Sequence, residues 1–140
     1  MLVVAALATI GVDRLTKRLI GVMPAGWSRG LAPGIALRHV VTRLRDSRAR
    51  ERTWLMPMIF LAASASLTLL VVSGGFFHAP TGQLGVGVAI AGAASNLHDR
   101  IRYSCTVDFI SIGAWPTFNV ADIGIVTGAI LAALNLRGAA

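Results

Sequence analysis

Asp99, Asp108 and Asp122 are three of only six acidic residues in this 140-residue chain. All three lie in one stretch, SNLHDRIRYSCTVDFISIGAWPTFNVADI (95–123), flanked by apolar sequence. Ionisable groups beside hydrocarbon are expensive and usually mark function. Two carboxylates brought close together in a poorly solvated site cannot both ionise, so one keeps a proton while the other stays charged. Such a pair activates water: the charged member takes a proton from it, and the neutral one hydrogen-bonds to a scissile carbonyl. Asp108 and Asp122 are therefore the candidate catalytic pair. Asn96, Asp99 and Arg100 stand at i, i+3 and i+4, on one helix face, and Asn119 precedes Asp122 by three. The chain offers no better hydrolytic set. Cys105 is its single cysteine, the serines lack a histidine partner, and Ser64 and Ser66 fall inside an apolar run.

The elements that must position these residues are apolar helices. The chain is 55% hydrophobic and 14% charged with a mean hydropathy of +0.71, a composition suited to a membrane rather than to a soluble domain. Four candidate spans fall at about residues 2–22, 54–72, 84–101 and 120–136. The first is interrupted by Asp13, Arg14, Lys17 and Arg18, and Pro57 lies near the start of the second. The expected architecture is an all-α membrane protein, a four-transmembrane-helix bundle forming one integral membrane domain. The opening MLVVAALATI lacks a basic n-region and a small-x-small cleavage site before DRLTKR, so it reads as part of the mature protein. Only about 12 residues precede Asp13, roughly 18 Å of helix, which points to a start further upstream.

Between the first two spans, residues 23–53 pass from the Gly- and Pro-rich MPAGWSRGLAPG into IALRHVV and then into an arginine run. A small extramembrane β-element followed by an interfacial segment fits this order. Arg29 and the six arginines between Arg38 and Arg52 carry much of the +7 net charge, and they suit anionic lipid headgroups. Without interleaved aromatics, the run does not support nucleic-acid binding. Residues 73–83 and 102–118 read as the other linkers. Small residues in GVGVAIAGAAS and GIVTG allow the third and fourth spans to approach closely in lipid. A loop of about 17 residues then lets Asp108 and Asp122 converge at one membrane face.

Each feature has a plainer reading. Asp13 and Lys17 at i, i+4 are first an intrahelical pair that lowers the cost of burying either charge. Asp99 with Asn96 and Arg100 reads as a network orienting the loop that carries Asp108. Asp122 in the first turn of a helix is favoured by the dipole alone, which accounts for one aspartate but not for two with asparagine partners. His78 and His98 read as solvated, and a zinc site of His98, Asp99 and Asp108 is disfavoured because neighbours 98 and 99 point to different helix faces. Trp27, Trp54 and Trp115 stand at expected membrane boundaries.

GAASNLHDRIRYSCTVDFI followed by FNVADIGIVTG resembles the two C-terminal signatures of bacterial lipoprotein signal peptidase, the type II signal peptidase. DRLTK at 13–17 resembles that family's first-helix motif. The resemblance implies a four-helix bundle with catalytic aspartates at Asp108 and Asp122. Asn96, Asp99, Arg100, Asn119, Asp13 and Lys17 fall on the family's other polar motif positions. It further implies a monomeric, multi-pass enzyme of the bacterial cytoplasmic (inner) membrane, surrounded by membrane lipids. Its substrates would be diacylglyceryl-modified prolipoproteins, whose signal peptides it removes without metal or cofactor.

Departures stand beside the matches. The family's Asn-x-Gly-Ala-type motif after the extramembrane strand, used in holding substrate, is replaced by Thr42, Arg43 and Leu44. Ser95 and Ser104 stand where glycines are expected, and Ile123 stands where a small polar residue is expected. Two alternatives follow: a catalytically silent paralogue that binds lipidated peptides, or a small proton- or cation-coupled transporter. The family's topology also puts the arginine-rich linker outside, against the positive-inside rule; a basic stretch upstream of Met1 would restore part of the balance.

Overall fold

The computed structural model describes residues 2–43 and 80–136. Three helices and a three-stranded sheet follow in the order α1 (Leu2–Gly21), β1 (Ser28–Ala32), β2 (Ile35–Arg43), α2 (Pro80–Tyr103), β3 (Cys105–Ile112) and α3 (Val120–Leu136). The expected spans at 2–22, 84–101 and 120–136 correspond to α1, α2 and α3. The expected span at 54–72, Trp54, His78, Leu44 and the arginines from Arg45 to Arg52 lie outside the described residues.

Proline at the first position of α2 costs nothing, because that N–H has no partner within the helix. Arg18 at the end of α1, and Arg100 with Arg102 at the end of α2, oppose the negative end of each helix dipole. α2 stops at Ser104, whose φ is +52° and whose N–H donates to the Arg100 carbonyl at 3.0 Å. This is a left-handed helix cap, a position that glycine fills without steric cost. Ser104→Gly is therefore expected to stabilise the protein by about 0.5–1 kcal/mol, the steric relief being partly offset by chain entropy. Thermal melting in detergent checks it, and a lower melting temperature would refute it.

The β-element expected around IALRHVV is β2, and it is larger than the sequence suggested. β1 and β2 form a hairpin around Pro33–Gly34, with Gly34 at φ +77° in the left-handed region. β3 comes from the 102–118 segment read above as a linker. CTVDFISI is rich in β-branched residues and pairs antiparallel with β2 from Ile35↔Ile112 to Arg43↔Cys105, so the sheet order is β1-β2-β3. In this register Val40 faces Asp108 and Thr42 faces Thr106. Phe118 then bridges back to β3: its carbonyl accepts the Phe109 and Ile110 N–H groups at 2.9 and 2.8 Å. Asn119 is thereby held beside the strand that carries Asp108.

α2 and α3 pack as their small residues predict. A Cβ on Gly85 would meet the Gly128 carbonyl at 2.6 Å, and one on Gly92 would meet the Ala121 carbonyl at 2.4 Å. α1 closes the third side, where Thr9 approaches Gly124.

The interior is unusual in composition. Asp13, Lys17, Ser95, Asn96, Asp99 and Asn119 are buried, while Val4, Leu7, Leu15 and Leu19 of α1 and Val126, Ile130 and Leu134 of α3 are exposed. Among the described residues no helix is long and apolar enough to cross a membrane by itself. α1 carries four charges in its second half, and α3 is 17 residues long.

Candidate active site

Asn119 and Asp122 cap each other at the start of α3. The Asp122 N–H donates to Asn119 Oδ1 and the Asn119 N–H donates to Asp122 Oδ2, both at 3.1 Å. This is the reciprocal arrangement of a capping box. The helix-end role foreseen for Asp122 is real, and it occupies only one carboxylate oxygen. The other, Oδ1, accepts from Asn96 Nδ2 at 2.7 Å.

Asn119 also reaches the second aspartate. Its Nδ2 donates to Asp108 Oδ1 at 2.8 Å and to Asn96 Oδ1 at 3.2 Å. A single asparagine therefore holds both carboxyl groups, Asp108 through its amide and Asp122 through its backbone. Asp108 Oδ2 accepts from the Thr42 hydroxyl at 2.7 Å, a diagonal contact across the β2–β3 ladder. Both aspartates are half-buried.

Behind Asn96 lies a second, buried layer. Lys17 Nζ is 2.7 Å from both Asp13 Oδ2 and Asp99 Oδ2, and donates to Asn96 Oδ1 at 2.9 Å. Asp13 is 0% exposed; it accepts from Ser95 Oγ at 2.6 Å and from the Ala121 N–H at 2.9 Å. Asp13 therefore exceeds the intrahelical pairing expected of it, because its two oxygens join α1 to α2 and to the first turn of α3. No buried side-chain polar atom among the described residues lacks a partner.

Six of the eight residues singled out from sequence around the catalytic pair, namely Asp13, Lys17, Asn96, Asp99, Asn119 and Asp122, join Asp108 in this one connected network. Arg100 does not: it is exposed at the end of α2, and no hydrogen bond or ion pair ties its side chain to the cluster among the described residues. His98 is exposed and meets Tyr103 edge-on, with ring centroids 6.2 Å apart. Two members were missed as contributors. Ser95 and Thr42 were noted only as departures, and Ser95 had one available signal, its place four residues before Asp99 on the polar face of α2. Beside Asp122 an open cavity of about 650 Å³ is lined by Trp115, Pro116, Phe118, Ile123 and Val126.

Residues 5–137 match the model of signal peptidase (SPase) II. The chain belongs to the signal peptidase II family. A lipoprotein signal peptidase of Syntrophomonas wolfei is 40% identical over 129 residues, 89% of this chain and 85% of the relative. That of Pelotomaculum thermopropionicum is 41% identical over 78 residues, 51% of each chain. That of Rhodococcus jostii is 38% identical over 91 residues, 61% of this chain and 44% of the relative. The chain thus spans about half the length of these last two relatives. A bacterial membrane enzyme solved by the in meso method superposes with a TM-score of 0.83 at 22% identity, covering 98% of this chain and 87% of that one. The likeness establishes that this signal peptidase II homologue shares the fold of that enzyme.

Proposed function

We propose that this chain is an intramembrane aspartyl endopeptidase. It removes the signal peptide from diacylglyceryl-modified prolipoproteins at the bond before the lipidated cysteine. The observation that carries the reading is the convergence of Asp108 and Asp122 on Asn119. The charged carboxylate takes a proton from water, and the water oxygen bonds to the scissile carbonyl carbon. The neutral carboxyl donates to the carbonyl oxygen as charge develops there. The C–N bond then breaks as its nitrogen takes up the proton removed from water, leaving a new carboxyl and a new amine. The Asn96 and Asn119 amides fix both acids, so little reorganisation accompanies the reaction.

A bilayer location follows from the inverted surface, with its buried charges and exposed leucines and valines. The reading is a monomeric, multi-pass protein of the bacterial inner membrane, with the 54–72 segment as a fourth span. Asp108 on the sheet and Asp122 at the start of α3 then sit at the membrane boundary. There an acyl-anchored substrate brings its peptide bond to the acids while its lipid stays in the bilayer. The apolar groove beside Asp122 suits the apolar segment of a signal peptide. A carrier of protons or cations would instead place its carboxylates along a span, and a silent paralogue has no need of both acids.

The test is incubation of the purified protein, in lipid or detergent, with a diacylglyceryl-modified precursor peptide and its unlipidated counterpart. The expected result is cleavage before the modified cysteine in the first alone. An intact lipidated peptide would overturn the proposal.

A further inference from the structure

The Thr42 contact assigns the two acids different roles. Among the described residues four donors surround the pair: Asn119 Nδ2 and Thr42 Oγ1 on Asp108, and Asn96 Nδ2 and the Asn119 N–H on Asp122. Three of these are N–H groups, which can only donate. A hydroxyl can donate or accept. Asn96 cannot turn its oxygen toward Asp122, because that oxygen already accepts from Lys17 and Asn119. Both oxygens of Asp122 thus accept from groups that can only donate, whereas the donor on Asp108 Oδ2 is one that can also accept. A proton on Asp108 Oδ2 has an acceptor waiting in Thr42. Resting on the reading above, we infer that Thr42 is a positioning residue that lets Asp108 hold the shared proton as the acid, leaving Asp122 as the charged base.

The hydrolytic step then has a direction. Asp122 takes the water proton, Asp108 Oδ2–H turns from Thr42 to the carbonyl oxygen, and each proton returns as the C–N bond breaks. Thr42, the first residue of the stretch where this chain departs from the family's substrate-holding motif, thus contributes to the acid itself. Among the described residues the titratable neighbours are Asp122 on α3 and, beyond Asn96, the Asp13–Lys17–Asp99 set from α1 and α2. Cys105 and Tyr103 line a cleft with Lys17 and Asp99. On β2, His39 is engaged with the Met23 carbonyl and Arg38 is exposed.

The experiment compares Thr42→Val and Thr42→Ser with the wild type on the diacylated peptide. Valine keeps the shape of threonine and suits a strand, so equal melting temperatures are expected. Thr42→Val should lower kcat by about 10- to 100-fold with little change in KM, and Thr42→Ser should restore it.

A rise in KM with kcat unchanged in Thr42→Val would mean that the hydroxyl holds substrate rather than the acid, and would overturn the assignment. An unaltered rate in Thr42→Val, or a serine variant as slow as valine, would overturn the role of the hydroxyl. A wild-type protein that leaves the peptide intact overturns the proposed function and this inference together, a result distinct from a valine variant that cuts normally.

Discussion

Asp108→Asn is expected to end cleavage and leave the fold intact, whereas Asp122→Asn ends cleavage and also weakens the fold. The difference lies in what each carboxylate faces. An asparagine at 108 can point its oxygen at Asn119 Nδ2 and its amino group at Thr42, whose hydroxyl then accepts. An asparagine at 122 meets N–H donors on both sides, from Asn96 Nδ2 and from the Asn119 backbone. One of them must oppose an amino group. A part-buried donor left without its acceptor costs about 1–3 kcal/mol. Loss of either acid should reduce the rate by at least about 10²–10⁴-fold, the usual contribution of general acid–base catalysis. Initial rates on the lipidated peptide, with melting temperatures of both variants, check the pair of statements. Retained cleavage in either variant would end the water-activation mechanism, and equal melting temperatures would end the capping argument for Asp122.

The helices were legible because their causes are local. Apolar runs fixed α1 and α3 to within a residue or so, and the glycines of GVGVAIAGAAS foretold the close α2–α3 contact that Gly85 and Gly92 make. The sheet was half legible. β2 alternates visibly, but β3 interrupts its own pattern with Asp108, the residue that made the stretch look like a functional loop. The polar cluster was legible as a list of residue types and not as a wiring. Asp13 and Lys17 announce each other at i, i+4, yet nothing local to Asp13 says that its second oxygen receives an N–H from Ala121, 108 positions away. Such pairings are set by how α1 docks, a tertiary outcome. The contact that Thr42 makes was illegible for a related reason. Judged by a family motif the residue is a loss, and only the strand register brings its hydroxyl to Asp108.

Lys17→Met is expected to have the largest effect on stability. One ammonium lies 2.7 Å from two carboxylates, those of Asp13 and Asp99, and all three groups are buried. Removing it leaves two like charges without a counter-ion, and breaking a buried pair from one side typically costs about 3–5 kcal/mol. For a chain of this size that is a fall in melting temperature of about 10 °C or more. The damage should also reach the acids, because Asn96 Oδ1 loses the Lys17 donor that fixes its amide against Asp122. Cleavage should therefore fall in Lys17→Met even below its melting temperature. Asp99→Asn added to Lys17→Met removes one of the stranded charges, and should recover part of the lost stability but none of the Lys17 hold on Asn96. A double variant that melts higher yet still cuts slowly would separate the two roles of the lysine. A Lys17→Met protein that melts with the wild type would mean that apolar packing alone holds α1 to α2, and that the buried charges contribute little to keeping Asp108 and Asp122 together.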